Sequence, residues 1–160
     1  MLGVRLICVG KMRERFYVDA FEEYRKRLGA YCRLDCLEIA EQRLGDNPSA
    51  AEIAAALEKE GAEIRKAISA DAFVVSLCVE GKEMSSEAFS ALFTERENSG
   101  KPKICFLIGG SYGMSETVKA KADLKLSMSK MTFPHHLARV MLVEQIYRAF
   151  KIAEGSRYHK

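Results

Sequence analysis

The chain has no tryptophan, only three prolines in 160 residues, and no CxxC pair among its five cysteines. Cys8, Cys78 and Cys105 lie inside the apolar runs LICVG, FVVSLCV and ICFLIGG, where cysteine packs as a small hydrophobe. Cys32 and Cys36 are close together but have no histidine nearby, too few ligands for a metal centre. This cysteine usage fits a reduced, cytosolic protein with no metal. Long apolar runs are also missing: none approaches the roughly 18–20 residues of a membrane helix. The opening MLGVRLICVGKMRERF is interrupted by Arg5 and has no small-residue cleavage pattern. It reads as a first strand, not a signal peptide.

Charge of one sign is scarce as well, with a net +3 from 25 Lys+Arg and 22 Asp+Glu. Its placement is uneven. Residues 1–123 hold 18 Lys/Arg against 20 Asp/Glu, whereas residues 124–160 hold seven against two. All three histidines, His135, His136 and His159, fall in the second group. A basic helix end complements the helix dipole. The same excess suits an anionic partner near the C-terminus.

No repeat, low-complexity tract or Pro/Ser-rich linker divides the sequence, so residues 1–160 read as a single domain. The runs Val4–Val9, Leu34–Ile39, Phe73–Val79, Ile104–Ile108 and Leu124–Met128 predict strands. Helical spacing predicts helices over 14–28 and 50–68, the second opened by the capping-box pair Ser49 and Glu52. Further helices follow from Ser85 or Ser86 to about Asn98, briefly after Ser115, and from near Pro134 to about Ala153. Five alternations of strand and helix predict an α/β fold, a mostly parallel sheet flanked by helices. Ligands of such sheets bind beyond the carboxyl ends of the strands.

Three of those ends stand out. Leu77-Cys78-Val79-Glu80-Gly81-Lys82 leaves the third strand, and Gly109-Gly110-Ser111-Tyr112-Gly113 leaves the fourth. Paired glycines let a backbone approach a ligand, although GGxxG also serves as an ordinary turn. The first turn, VGKMRE, has one glycine, which counts against a dinucleotide fold. The third end, Ser127 to His136, reads either as a ligand loop or as a plain loop capped at Thr132 or Phe133. No third ligand accompanies His135 and His136, which excludes a metal there.

The last helix is apolar over most of its circumference, so part of it is expected at a subunit interface. At about 100° per residue, Glu144, Gln145, Arg148 and Lys151 share one third of the wheel. Glu144 and Arg148 have the spacing of a surface ion pair. Arg139 stands opposite, among Leu137, Val140, Met141 and Val143. A buried arginine needs an anionic partner, whether a side chain, a chain terminus or a ligand phosphate. The tail GSRYHK is either a frayed basic end or a flap able to stack a base and pair with phosphate.

The segments IGGSYGM (108–114), LSMSKMTFPHHLARVMLVEQIYRAFKI (126–152) and YHK (158–160), with VGKMRERF and SLCVEGKEMSSE, resemble the bacterial 23S rRNA pseudouridine-N3 methyltransferases. That family lies in the SPOUT superfamily, and the resemblance spans the whole chain. It implies an α/β fold with a C-terminal trefoil knot and a homodimer. It further implies methylation from S-adenosylmethionine at N3 of a pseudouridine in a large-subunit rRNA stem-loop, on the assembled ribosome. Carried over, the cofactor contacts fall on Leu77, Gly109, Met128, Ser129, Lys130, Met131, Thr132 and Phe133. These belong to the same three strand ends.

Removing the weakly acidic N3 proton calls for a base or a cation that stabilises the anion. The candidate catalytic residues are Tyr158 and His159, orienting the base from the partner's tail with Arg157 on phosphate. Arg139 is the candidate for holding that tail or the knot. Two rivals differ in class. A non-catalytic ribosome- or RNA-binding factor would tolerate a side chain at Gly109 or loss of the 128–133 loop, yet both are intact. A SPOUT enzyme for another RNA, such as tRNA, often carries an added RNA-binding domain, for which 160 residues leave little room.

Overall fold

A computed structural model describes all of residues 1–160. The elements follow in the expected alternation: β1 (Gly3–Val9), α1 (Arg15–Leu28), β2 (Arg33–Ile39), α2 (Ala50–Ala67) and β3 (Phe73–Glu83). Then come α3 (Ser86–Asn98), β4 (Lys103–Ile108), α4 (Glu116–Lys119), β5 (Leu124–Ser127) and α5 (His135–Ala153). All five strands are parallel, in the order β2-β1-β4-β3-β5. No helix is long and apolar enough to cross a membrane.

Both faces of the two central strands are covered, as parallel sheets require. On β1, Val4, Leu6 and Cys8 face one side and Ile7 and Val9 the other; β4 divides Ile104, Phe106 and Ile108 from Cys105 and Leu107. The first side packs against Phe21 and Leu28 of α1, Phe89 and Phe93 of α3, and the buried stripe of α5. The second packs against Ile64 of α2 and Val118 of α4. Ser49 closes the anticipated capping box, and Ser85, not Ser86, caps α3 by accepting from Ala88 N–H at 3.0 Å.

Three features depart from the sequence expectation. β3 runs past Val79: Leu77 and Lys82 both pair with Leu126, so residues 78–81 bulge out before the strand re-pairs with β5. Gly81 makes this possible, because a Cβ there would lie 2.7 Å from the Lys125 carbonyl carbon. The cap position of α5 is Pro134, with no side-chain cap, rather than Thr132 or Phe133. α5 also rests on both α1 and α3, which cover more of its circumference than one sheet face could. Leu137, Val140 and Met141 remain half-buried.

β5 lies at the sheet edge, yet α5 begins beside the end of β1. A Cβ on Gly10 would sit 3.6 Å from His135 Nε2 and 3.7 Å from His136 Nε2. Segment 128–134 therefore crosses the carboxyl ends of β3 and β4, about 14 Å at three strand spacings. Arg139 secures the far side of this crossing. Only 2% exposed, it donates to Glu38 Oε2 at 2.7 Å and to the Gly10 carbonyl at 2.9 Å. Its anionic partner is thus a side chain of β2, not the tail.

Glu38 also accepts the Met12 N–H at 2.9 Å. Burial acts to raise its pKa, but the Met12 N–H and Arg139 outweigh it and hold the carboxyl below its ordinary value. Arg139→Ala is expected to cost about 2–4 kcal/mol in urea unfolding, less than a fully buried pair because Glu38 is partly solvated. Since the folded pKa of Glu38 is the lower one, its contribution is complete above the unfolded value near 4.5 and fades as pH falls through the folded value. Glu38→Gln should flatten that acid limb, measured as unfolding free energy against pH.

Candidate functional site

Leu77, Gly109 and segment 128–133 stand at the carboxyl ends of three adjacent strands, β3, β4 and β5. Leu77 packs on the main core at the last residue before the β3 bulge. Gly109 opens a turn closed by the Gly113 N–H donating to the Gly110 carbonyl at 3.0 Å. A Cβ on Gly109 would lie 2.4 Å from the Gly113 oxygen and 2.8 Å from Met114 Cγ. Only glycine fits.

Segment 128–133 has a firm start and an open middle. The Ser127 hydroxyl donates to the Ser129 carbonyl at 2.9 Å, and the Met131 N–H donates to Ser129 Oγ at 3.0 Å. No backbone group from Met128 to Phe133 joins a backbone–backbone hydrogen bond. Met131 is 75% exposed, while Phe133 is half-buried. Free N–H and C=O groups flanked by apolar side chains suit a flat heteroaromatic ligand with a polar edge.

The sequence singled out 77–82 as a strand end, but not its bulge beside the loop. Residues 78–81 form a wall whose Glu80 accepts from Lys119 at 2.6 Å. That hydrogen bond holds the Glu80 carboxyl below its ordinary value. His135 and His136 flank the Gly10 turn with rings 4.2 Å apart, and His136 lies 3.5 Å from Glu14. Burial, then His136, pushes His135 below its ordinary value. No group of three His, Cys, Asp or Glu side chains has metal-binding geometry.

Tyr158 and His159 come together, but away from Arg139. The tail folds back on its own α5: Tyr158 OH donates to Glu144 Oε1 at 3.0 Å, and Arg148 lies 4.9 Å over the Tyr158 ring. Glu144 and Arg148 also form the anticipated ion pair, at 2.6 Å. His159 bridges Arg148, at 3.1 Å from Nδ1, and Glu87, at 2.7 Å from Nε2. Arginine only donates, so Nδ1 accepts and Nε2 carries the proton toward Glu87. Burial, then Tyr24 and Glu144, raises the Tyr158 phenol well above its ordinary range, so it stays protonated at neutral pH. Glu144 lies nine residues into α5, about 13 Å along the axis from its start. The docked tail therefore sits along the side of α5, against the first turn of α3.

Residues 2–159 match a family profile described as "Predicted SPOUT methyltransferase". The chain is 46% identical over 159 residues to the "Ribosomal RNA large subunit methyltransferase H" of Clostridium beijerinckii, covering 99% of this chain and 100% of that one. It is 48% identical, with the same coverage, to a protein of that name from Clostridium botulinum. Among solved structures it is similar to a "probable methylase family protein" from Haemophilus influenzae, with a TM-score of 0.51 at 12% identity. That match covers 99% of this chain and 70% of the other, and it bears on the fold alone.

The Gly109 turn gives a direct structural test. Gly109→Ala should destabilise by about 2–3 kcal/mol, since the backbone must open to admit the Cβ. Gly113→Ala, with open space but φ of +81°, should cost only about 1 kcal/mol. Parallel denaturant titrations of the two variants check the order.

Proposed function

The chain belongs to the SPOUT methyltransferase family, and from that premise we propose that it methylates N3 of a pseudouridine in large-subunit rRNA. The observation that supports this most is the absence of backbone–backbone hydrogen bonds in 128–133, beside a Gly109 turn that excludes every side chain. These residues fit S-adenosylmethionine. Its adenine edge would meet the free N–H and C=O groups, with Leu77, Met131 and Phe133 covering the faces and Lys130 at the rim. When bound, the cofactor supplies an electrophilic sulfonium methyl. The names of the Clostridium relatives support rRNA as the acceptor, and the whole-chain resemblance to the pseudouridine-N3 enzymes supports the atom.

The chain's own residues then bind and position the target. Segment 128–134 is read as the closing pass of a trefoil knot. Tyr158, kept protonated, orients the base as a hydrogen-bond donor, and Arg157 meets a phosphate. His159 is the candidate acceptor for the N3 proton. In the docked tail its accepting nitrogen already faces Arg148, so it must leave that contact to work. The docking of Tyr158 and His159 on α5 and α3, away from Arg139, supports a tail that acts in trans, in a homodimer. Phe16, 66% exposed on α1, and half-buried Leu137 and Met141 on α5 supply apolar surface for a second copy. The ribosome in the cytoplasm is the expected setting.

The test is methyl transfer from S-adenosylmethionine to ribosomes prepared from cells lacking the protein. Wild type should transfer one methyl per large subunit. Deleting residues 156–160 should abolish transfer while leaving S-adenosylhomocysteine binding, read by calorimetry, within about threefold. Full activity in the truncated protein overturns the tail's role. Gly109→Val should remove the calorimetric signal by filling the turn, and a silent wild-type titration overturns the cofactor assignment.

A further inference from the structure

A second concavity lies beside the three strand ends just described and shares the β4 turn with them. A cavity of about 760 Å³ opens at the carboxyl ends of β1, β2 and β4, within the range of small-molecule and nucleotide sites. Its position follows from the winding of the sheet. The chain leaves β1 toward the α1 face and leaves neighbouring β4 toward the α4 face. The crevice between two such strands is the switch point, where open α/β sheets bind ligands.

The lining has a definite chemistry. Lys11 and Arg13 follow β1 and Arg43 follows β2, and none of the three has an ion-pair or hydrogen-bond partner in the chain. Tyr112, 52% exposed, presents its ring from the β4 turn. The floor is rigid: Glu60, 6% exposed, accepts the Gln42 N–H at 2.9 Å and so fixes the loop carrying Arg43. Burial, with Glu41 adding to it, raises the Glu60 pKa against the effect of that N–H, and the Glu41 and Glu60 carboxyl groups in the lining offset part of the charge of the three cations. Unpaired cations around an exposed aromatic suit a nucleotide: the ring stacks a base and the cations meet phosphates.

Gly109 and Tyr112 belong to one turn, so this cavity adjoins the candidate methyl-transfer site. We propose that the cavity holds the nucleotide flanking the methylated one, with its base on Tyr112 and its phosphates on Lys11, Arg13 and Arg43. This rests on the rRNA reading above and adds to it a second, non-reacting subsite that sets where the strand lies.

Binding without turnover separates the two. Wild type and an Arg13→Ala/Arg43→Ala variant, each saturated with S-adenosylhomocysteine, are titrated onto ribosomes from cells lacking the protein across a range of salt. The variant should bind about tenfold or more weaker, with a salt slope lower by about two, while its S-adenosylhomocysteine affinity is unchanged. Tyr112→Ala should weaken binding with the slope kept, and Tyr112→Phe should restore it. In turnover, the double variant should raise KM for ribosomes about tenfold with kcat within about threefold. Wild-type affinity and slope in the double variant overturn the cavity proposal alone. A wild type that binds S-adenosylhomocysteine but neither binds nor methylates ribosomes overturns the rRNA reading and the cavity with it.

Discussion

One buried cation organises the functional end of this molecule. Arg139 joins α5 to Glu38 at the end of β2 and to the Gly10 turn at the end of β1. The segment before it must carry the chain from the edge strand β5 across two strand ends, and it is held only at its margins. Ser127 and Ser129 fix the start. Arg139 fixes the helix that receives it. Between these anchors the backbone forms no backbone–backbone hydrogen bond, and apart from the Ser129 carbonyl and the Met131 N–H its polar groups are left to water or a ligand. A firm frame around an unsatisfied loop is what preorganised binding requires. The same clamp orders the Gly10 turn, whose next residues, Lys11 and Arg13, reach the neighbouring cavity.

The carboxyl edge of the sheet is thereby divided. β3, β4 and β5 present the site proposed for the cofactor, and β1, β2 and β4 present the cavity proposed for the flanking nucleotide. The β4 turn serves both, Gly109 on one side and Tyr112 on the other. Such sharing links the two sites: a backbone shift that admits a side chain at Gly109 also displaces the aromatic ring. The parallel sheet makes this economical, because every strand ends at the same edge.

Most of the fold was legible in the sequence. Apolar runs, and for Leu34–Ile39 an alternation of apolar and polar residues, located all five strands, and Ser49, Ser85 and Ser115 marked helix starts through their caps. What stayed hidden depends on contacts between distant residues. The β3 bulge exists because Gly81 can press against β5, some 45 residues on, and nothing local encodes that second pairing. Arg139 announced its need for an anion, yet its partner Glu38 is 101 positions away and looked like an ordinary polar strand residue. The cavity draws its residues from three loops and helix α2. Its place at the switch point follows from strand order, which the sequence leaves open. The tail's chemistry was visible in Tyr158 and His159, but its docking on Glu144, Arg148 and Glu87 was not.

The weak net charge also takes on a physical sense. Three unpaired cations in one crevice and a basic C-terminal segment provide local attraction without a field strong enough to hold arbitrary RNA. Under the proposed function, recognition relies on the shape of an assembled particle. The most direct measurement is mass mapping of large-subunit rRNA from cells with and without this protein. The account predicts that one pseudouridine in a stem-loop lacks a single base methyl in the deficient cells and regains it when the purified protein and S-adenosylmethionine are added to their ribosomes. Identical maps from the two cell types would contradict it.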